Sequence, residues 1–214
     1  MGRVTLAAGT YRLGPAAGRL AIRTSRAGLA ARVGHDLLIE VADWSAVVTV
    51  PADDDLAATT ITAELSLDSL AVREGTGGAR PLSARDRTEI GRTMRKILGG
   101  GTASFSSVKI IASAGSSSAS SSSGGSSSGG SSAGGSPASG GAIEGSLTLN
   151  QRTQPIRLQV VAPGAGRYGA GRYRGSGTVL QTAFGITPYS GLFGALKLND
   201  AVTVEFDLDL GRPA

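Results

Sequence analysis

The chain has 214 residues, among them 33 Gly and no Cys, with 4% aromatics and a formal net charge of +5. The absence of Cys excludes disulfides, a thiolate nucleophile and a Cys-based zinc site. No apolar run approaches the ~20 residues of a bilayer-crossing helix. The basic excess is scattered over Arg12, Arg19, Arg23, Arg26 and Arg32 early and Arg167, Arg172 and Arg174 late. That distribution reads as a solvated surface, so no specific nucleic-acid partner is expected. The first ten residues lack the apolar stretch of a secretory signal, which makes a cytoplasmic protein the default expectation.

Leu20 and Ile22 alternate with Arg19, Ala21 and Arg23, the period of a half-buried strand. His35 to Val41 and Trp44 to Val50 read as two further strands flanking the polar break Ala42-Asp43. After Pro51, the run Asp53-Asp54-Asp55 reads as a solvated loop. Ile61, Ala63, Leu65 and Leu67 share one phase whereas Leu70 and Val72 take the other, a slip that predicts a bulge. Ser83 to Leu98 is the one helix. Ser83 is the expected N-cap with Asp86 completing a box-like start, and Ile90, Met94, Ile97 and Leu98 form a stripe. Arg95 and Lys96 suit the C-terminal end, and Gly99 stops it.

Thr102 to Ile111 reads as a strand. Residues 112–142 then run almost entirely as Ser, Gly and Ala, too poor in apolar surface to offset their own ordering entropy. Because strand sequence lies on both sides, this tract is expected to be a disordered insertion within a hairpin rather than an interdomain linker. Its Gly125-Ser-Ser-Ser-Gly129 fits a serine-nucleophile pattern without the strand–turn–helix that pattern needs.

Ile143, Leu147 and Leu149 alternate with polar residues, Asn150 to Gln154 supplies turn chemistry, and Ile156, Leu158 and Val160 resume the alternation after Pro155. This is an antiparallel hairpin with one apolar face. Gly164-Ala-Gly-Arg-Tyr-Gly169 fits a dinucleotide fingerprint but leads into a strand, Tyr173 to Leu180, so it reads as a hairpin loop. Val179 to Ile186 and Val202 to Leu210 complete the strands. One-faced strands with a single helix predict an all-β fold: one antiparallel barrel of about eight strands, spanning residues 3–210, with the helix over one opening or flank.

In this order the segments resemble the YceI-like family of lipocalin-like, polyisoprenoid-binding barrels. Gly145-Ser-Leu-Thr-Leu-Asn150 with Gln154-Pro155 is similar to the family's G-x-L-T-L-x-G-x-T-K-P hairpin. Thr178 to Ile186 resembles its strand ending in F-G-I. Arg85-Asp86 followed by Ala103-Ser-Phe-Ser-Ser107 resembles R-D … A-T-F-x-S. The chain departs from the family at Thr88-Glu-Ile90, where a His-Leu-Arg-type sequence is common, and at Gly100-Gly101, where Tyr-Pro is common. Any part those side chains take at the mouth is absent or replaced here.

The resemblance implies non-enzymatic binding of an isoprenoid or other long-chain lipid in the lumen, with the head group near the mouth and a homodimer by analogy. Leu20, Ile22, Ile61, Leu65, Leu147, Leu149, Ile156, Leu158, Val204 and Phe206 are the candidate lining residues. Each suits a packed core more readily than a ligand contact, which leaves open a structural or interaction barrel with a filled interior. His35, Arg32, Arg95 and Lys96 are candidates for the head group. His35 is the single histidine. An enzyme using it is the weaker alternative, because Asp36, its sequence neighbour, points to the opposite strand face. A hydrogen-bonded structural His is the preferred reading. No catalytic residue, cofactor or metal site is expected.

Overall fold

The chain folds as strands, and most of the longer ones turn an apolar phase inward. They are β1 (Gly9–Leu13), β2 (Gly18–Arg23), β3 (Arg26–Ala27), β4 (Asp36–Val41), β5 (Trp44–Val50), β6 (Thr60–Ser66) and β7 (Leu70–Thr76). The helix α1 (Ala84–Leu98) follows, then β8 (Thr102–Ala112), β9 (Gly140–Leu149), β10 (Arg152–Val161), β11 (Arg172–Leu180), β12 (Ser190–Gly191), β13 (Leu196–Leu198) and β14 (Ala201–Asp209). This computed structural model describes residues 7–52, 56–112, 140–161 and 171–211. Asp53 to Asp55, the two motif matches at 125–129 and 164–169, and most of the Ser/Gly tract lie outside the described residues.

Eleven strands form one antiparallel sheet in the order β1-β5-β6-β8-β9-β10-β11-β14-β2-β4-β7, more than the eight or so expected. The sheet curls because β4 and β5, each next to one of its edges, are joined by Ala42-Asp43 alone. That corner is locked by hydrogen bonds. Ser66 N donates to Asp43 O at 3.0 Å and Asp43 N to Ser69 Oγ at 3.0 Å. Helix α1 packs along β7, with Ile90, Met94 and Leu98 against the interior cluster. The result is a lipocalin-like barrel. A second, three-stranded sheet of β12, β13 and β3 sits beyond the β2 and β4 ends.

Several local expectations change. The β9–β10 turn is shorter than foreseen: Leu149 pairs directly with Arg152, so only Asn150 (φ 50) and Gln151 (φ 58) form the loop. Two successive left-handed residues make this a type I′ turn, whose twist matches the flanking strands. Arg152 to Gln154 are already strand. Counting from the closing pair, Pro155 falls at a non-hydrogen-bonded site opposite Ser146, its nitrogen directed away from β9. β11 ladders only with residues 159–161 of β10, so the missing N–H at Pro155 breaks no ladder bond.

The phase slip between Leu67 and Leu70 is not a bulge. It is a 3-10 turn, Leu67–Ser69, separating two strands. A bulge does occur on β7's ladder with β4, at Leu38/Ile39. Val179 to Ile186 is not one strand either. It breaks at Leu180 into a 3-10 turn, Gln181–Phe184. Strands β8 and β9 pair antiparallel up to Ala112 and Gly141, so the flanks of the Ser/Gly tract form one hairpin, and β9 starts three residues before Ile143.

The helix begins and ends where its capping residues put it. Ser83 Oγ accepts from Asp86 N at 3.2 Å while Ser83 N donates to Asp86 Oδ2 at 2.9 Å, and Gly99 closes it with φ 74. The outer face carries cross-strand ion pairs: Arg23 with Glu205 (2.7 Å), Arg157 with Glu144 (2.6 Å), and Arg172 and Arg174 with Asp207 (2.6 and 3.0 Å). Arg73 pairs likewise with Glu40. The arginines are about half exposed and their carboxylates about a third, so each pair contributes little to stability. Five of the 21 Lys and Arg side chains are paired in this way.

Candidate functional site: the apolar lumen

The curled sheet encloses a cavity of about 1760 Å³. Ordinary small-molecule pockets span roughly 300–1,000 Å³, so this lumen suits something longer. The interior divides in two. On the β1, β4, β5 and β7 side, Leu37, Ile39, Val41, Trp44, Val48, Leu70 and Val72 are buried and packed together. On the β9, β10, β11 and β14 side, Val179 and Val202 are buried with Phe184 and Ile186, whereas Leu147, Leu158, Val204 and Phe206 are only half-buried. Their remaining surface faces the lumen.

Glycine in the wall helps keep the hollow open. The Phe105 ring lies across Gly145 and the Phe206 ring across Gly175. A Cβ at those positions would stand 2.5 Å and 2.3 Å from the respective ring. Two of the chain's few aromatic rings thus lie against the backbone instead of occupying the space.

All ten lining candidates, Leu20, Ile22, Ile61, Leu65, Leu147, Leu149, Ile156, Leu158, Val204 and Phe206, stand on the cavity wall. The wall also includes Leu37, Ile39, Trp44 and Val48 of β4 and β5, Phe105 of β8, and Ile90, Met94, Ile97 and Leu98 of α1. The signal for these was present: the same alternation in β4 and β5 and the apolar stripe of the helix. What periodicity lacked was the curl that turns every inward phase toward one space.

The mouth is found from lining residues that are also exposed: Val33, Ala79, Arg80, Glu89, Ile97 and Tyr189. All six fall on segments 33–35, 79–98 and 186–198, at the end covered by α1 and the small sheet. His35 stands here too. Its Nε2 lies 2.7 Å from Arg80 O, and its ring packs against Gly78. Asp36 turns elsewhere, its Oδ1 accepting from Arg26 N at 2.8 Å. The adjacent His and Asp therefore do not orient each other.

Arg26 binds the rim together, donating to Gly34 O at 3.0 Å and Thr76 O at 2.8 Å. Arg32, Arg95 and Lys96 are exposed and do not line the cavity. Arg95 and Lys96 lie in the last turn of α1, away from the lumen-facing Ile90, Met94 and Leu98. Arg80, which no sequence pattern marked, is the one Lys or Arg side chain among the described residues that lines the cavity.

The electrostatics fit a sparse polar rim on an apolar interior. Asp86, beside the mouth, is held below its ordinary carboxyl value, first by the Ser83 backbone N–H, then by the Ser83 hydroxyl and more weakly by Arg80 and His35. Burial raises Tyr173, on the lumen wall, above the usual phenol value, with a smaller contribution from Tyr11. Thr59 is the one buried side chain among the described residues whose oxygen finds no hydrogen-bond partner, and it too lines the cavity. Among the described residues no three His, Asp or Glu gather as a metal site. No helix there is long and apolar enough to cross a membrane.

These features define a lipocalin-like barrel with an apolar lumen and a lightly polar mouth. The chain belongs to the YceI-like family: the model of the YceI-like domain matches residues 11–210. A solved structure with the same fold is that of Burkholderia cenocepacia BcnA, with a TM-score of 0.52 and 12% identity over 89% of this chain and 94% of that one. None of the curated proteins matches the sequence.

Proposed function

We propose that the barrel holds the hydrocarbon of an isoprenoid or other long-chain lipid in its lumen, with the polar end near His35 and Arg80, and breaks no bond. The observation that carries this reading is the continuous apolar cavity of about 1760 Å³. Membership of a family of polyisoprenoid-binding barrels supports it. A lining of Leu, Ile and Val supplies non-directional affinity, ~0.8 kcal/mol per buried methylene. About ten buried methylenes then contribute ~8 kcal/mol, a micromolar interaction before ordering costs. At ~30 Å³ per non-hydrogen atom the lumen accommodates roughly 60 atoms, enough for a chain of up to about twelve isoprene units.

The test is lipid extraction and mass spectrometry on the protein isolated from its native host, paired with titration of polyprenyl lipids into delipidated protein. A long-chain lipid near one per chain is the expected finding. No co-purifying lipid together with no binding of an added one overturns the reading.

A further inference from the structure

Leu29 and Phe193 are the most exposed large apolar side chains among the described residues, at 100% and 113%. They sit on two loops joined into one corner. β13 pairs with β3 through Lys197 opposite Ala27, and Ala30 N donates to Ala195 O at 2.9 Å. Gly28, with φ +90, permits this approach, since a Cβ there would stand 2.4 Å from Ala195 O. Phe193 itself holds φ 54, ψ 35, a left-handed conformation that side-chain-bearing residues seldom adopt. An aromatic ring kept in solvent on such a backbone points to a partner outside the chain.

The surroundings indicate which partner. Val33, 49% exposed, and Tyr189, 38% exposed, belong to the same loops and also line the cavity, as does Leu196. An apolar track therefore leads from this corner to the lumen. Arg32 and Lys197 flank it, both exposed and neither in an ion pair among the described residues. Apolar tips bordered by unpaired cations complement the headgroup region of an anionic bilayer. A polar protein partner offers no match for two bare hydrocarbon tips.

We propose that the Leu29–Phe193 corner docks on an anionic lipid surface, inserting both side chains at the headgroup level and setting the barrel mouth against the bilayer. Docking and lumen occupancy are separable. A chain that binds vesicles through this corner does so whatever its lumen holds.

The experiment is co-sedimentation of the full chain with phosphatidylcholine vesicles, with and without phosphatidylglycerol. Wild type is expected to sediment with the anionic vesicles. Leu29→Ser and Phe193→Ser are each expected to weaken partitioning about tenfold. Arg32→Glu with Lys197→Glu is expected to abolish the preference for phosphatidylglycerol. Circular dichroism and the thermal midpoint control for folding and should not move, because both apolar side chains are already in solvent. The double serine variant should still take up a short-chain fluorescent lipid presented without vesicles, which separates failure of docking from failure of the lumen. Three outcomes overturn the proposal: wild type remaining in the supernatant, the double serine variant sedimenting like wild type, or self-association that depends on Leu29 and Phe193 without vesicle binding. The last assigns the corner to a second copy of the chain.

Discussion

Replacing Ala63 with Trp measures the lumen directly. Ala63 sits on the inward phase of β6 between Ile61 and Leu65 and lines the cavity. The change adds about nine non-hydrogen atoms, roughly 270 Å³ at ~30 Å³ each, or about 15% of the 1760 Å³ available. A lumen shortened by about nine carbons loses close to two isoprene units of capacity. In a series of polyprenyl alcohols of increasing length, wild-type affinity should climb by ~0.8 kcal/mol per buried methylene and then level off. The levelling point of the variant should fall about two isoprene units earlier. Competition against a fluorescent lipid reads both curves. Because the ring enters open space, the free energy of urea unfolding should hold within about 1 kcal/mol, whereas the same enlargement in a packed core costs about 1–3 kcal/mol. An unshifted levelling point, or wild-type affinity indifferent to chain length, refutes the reasoning.

Truncation should separate the packed side from the hollow side. Trp44→Ala, at a 4% exposed position packed within the buried cluster, is expected to cost about 3–5 kcal/mol in urea unfolding, and Leu147→Ala, at a half-buried position, clearly less. Gln151→Gly removes a side chain from a left-handed turn position (φ 58) and should stabilise the barrel by about 1 kcal/mol in the same assay. Asp207 is held below the ordinary carboxyl value, chiefly by its hydrogen bond from Arg172. Its contribution is fully present above the unfolded value of about 3.9 and is lost as pH falls through the lower folded value. Asp207→Asn should therefore flatten the acid side of a stability–pH curve below about pH 4. High salt should shrink the difference, since the arginines are half exposed.

Residue type and spacing alone determined the local grammar of this protein. The alternation of Val202 to Leu210 and of Ile143 to Val160, the Ser83–Asp86 cap and the Gly99 stop depend on neighbours a few residues apart. Such preferences act before any long-range contact forms, so the strands, the helix and the ten inward side chains were legible. Where a tertiary partner competed, local pattern misled: Leu67 to Leu70 looked like a slipped strand because nothing nearby announces the corner with Asp43. Tertiary structure alone decided that the β4–β5 corner curls the sheet around one interior, and that Phe105 and Phe206 fold back over Gly145 and Gly175. It also decided that Arg80, rather than Arg32, Arg95 or Lys96, stands at the mouth. An apolar phase says which way a side chain turns. Whether it meets another side chain or open space depends on the curvature of the whole sheet, which no short stretch of sequence encodes.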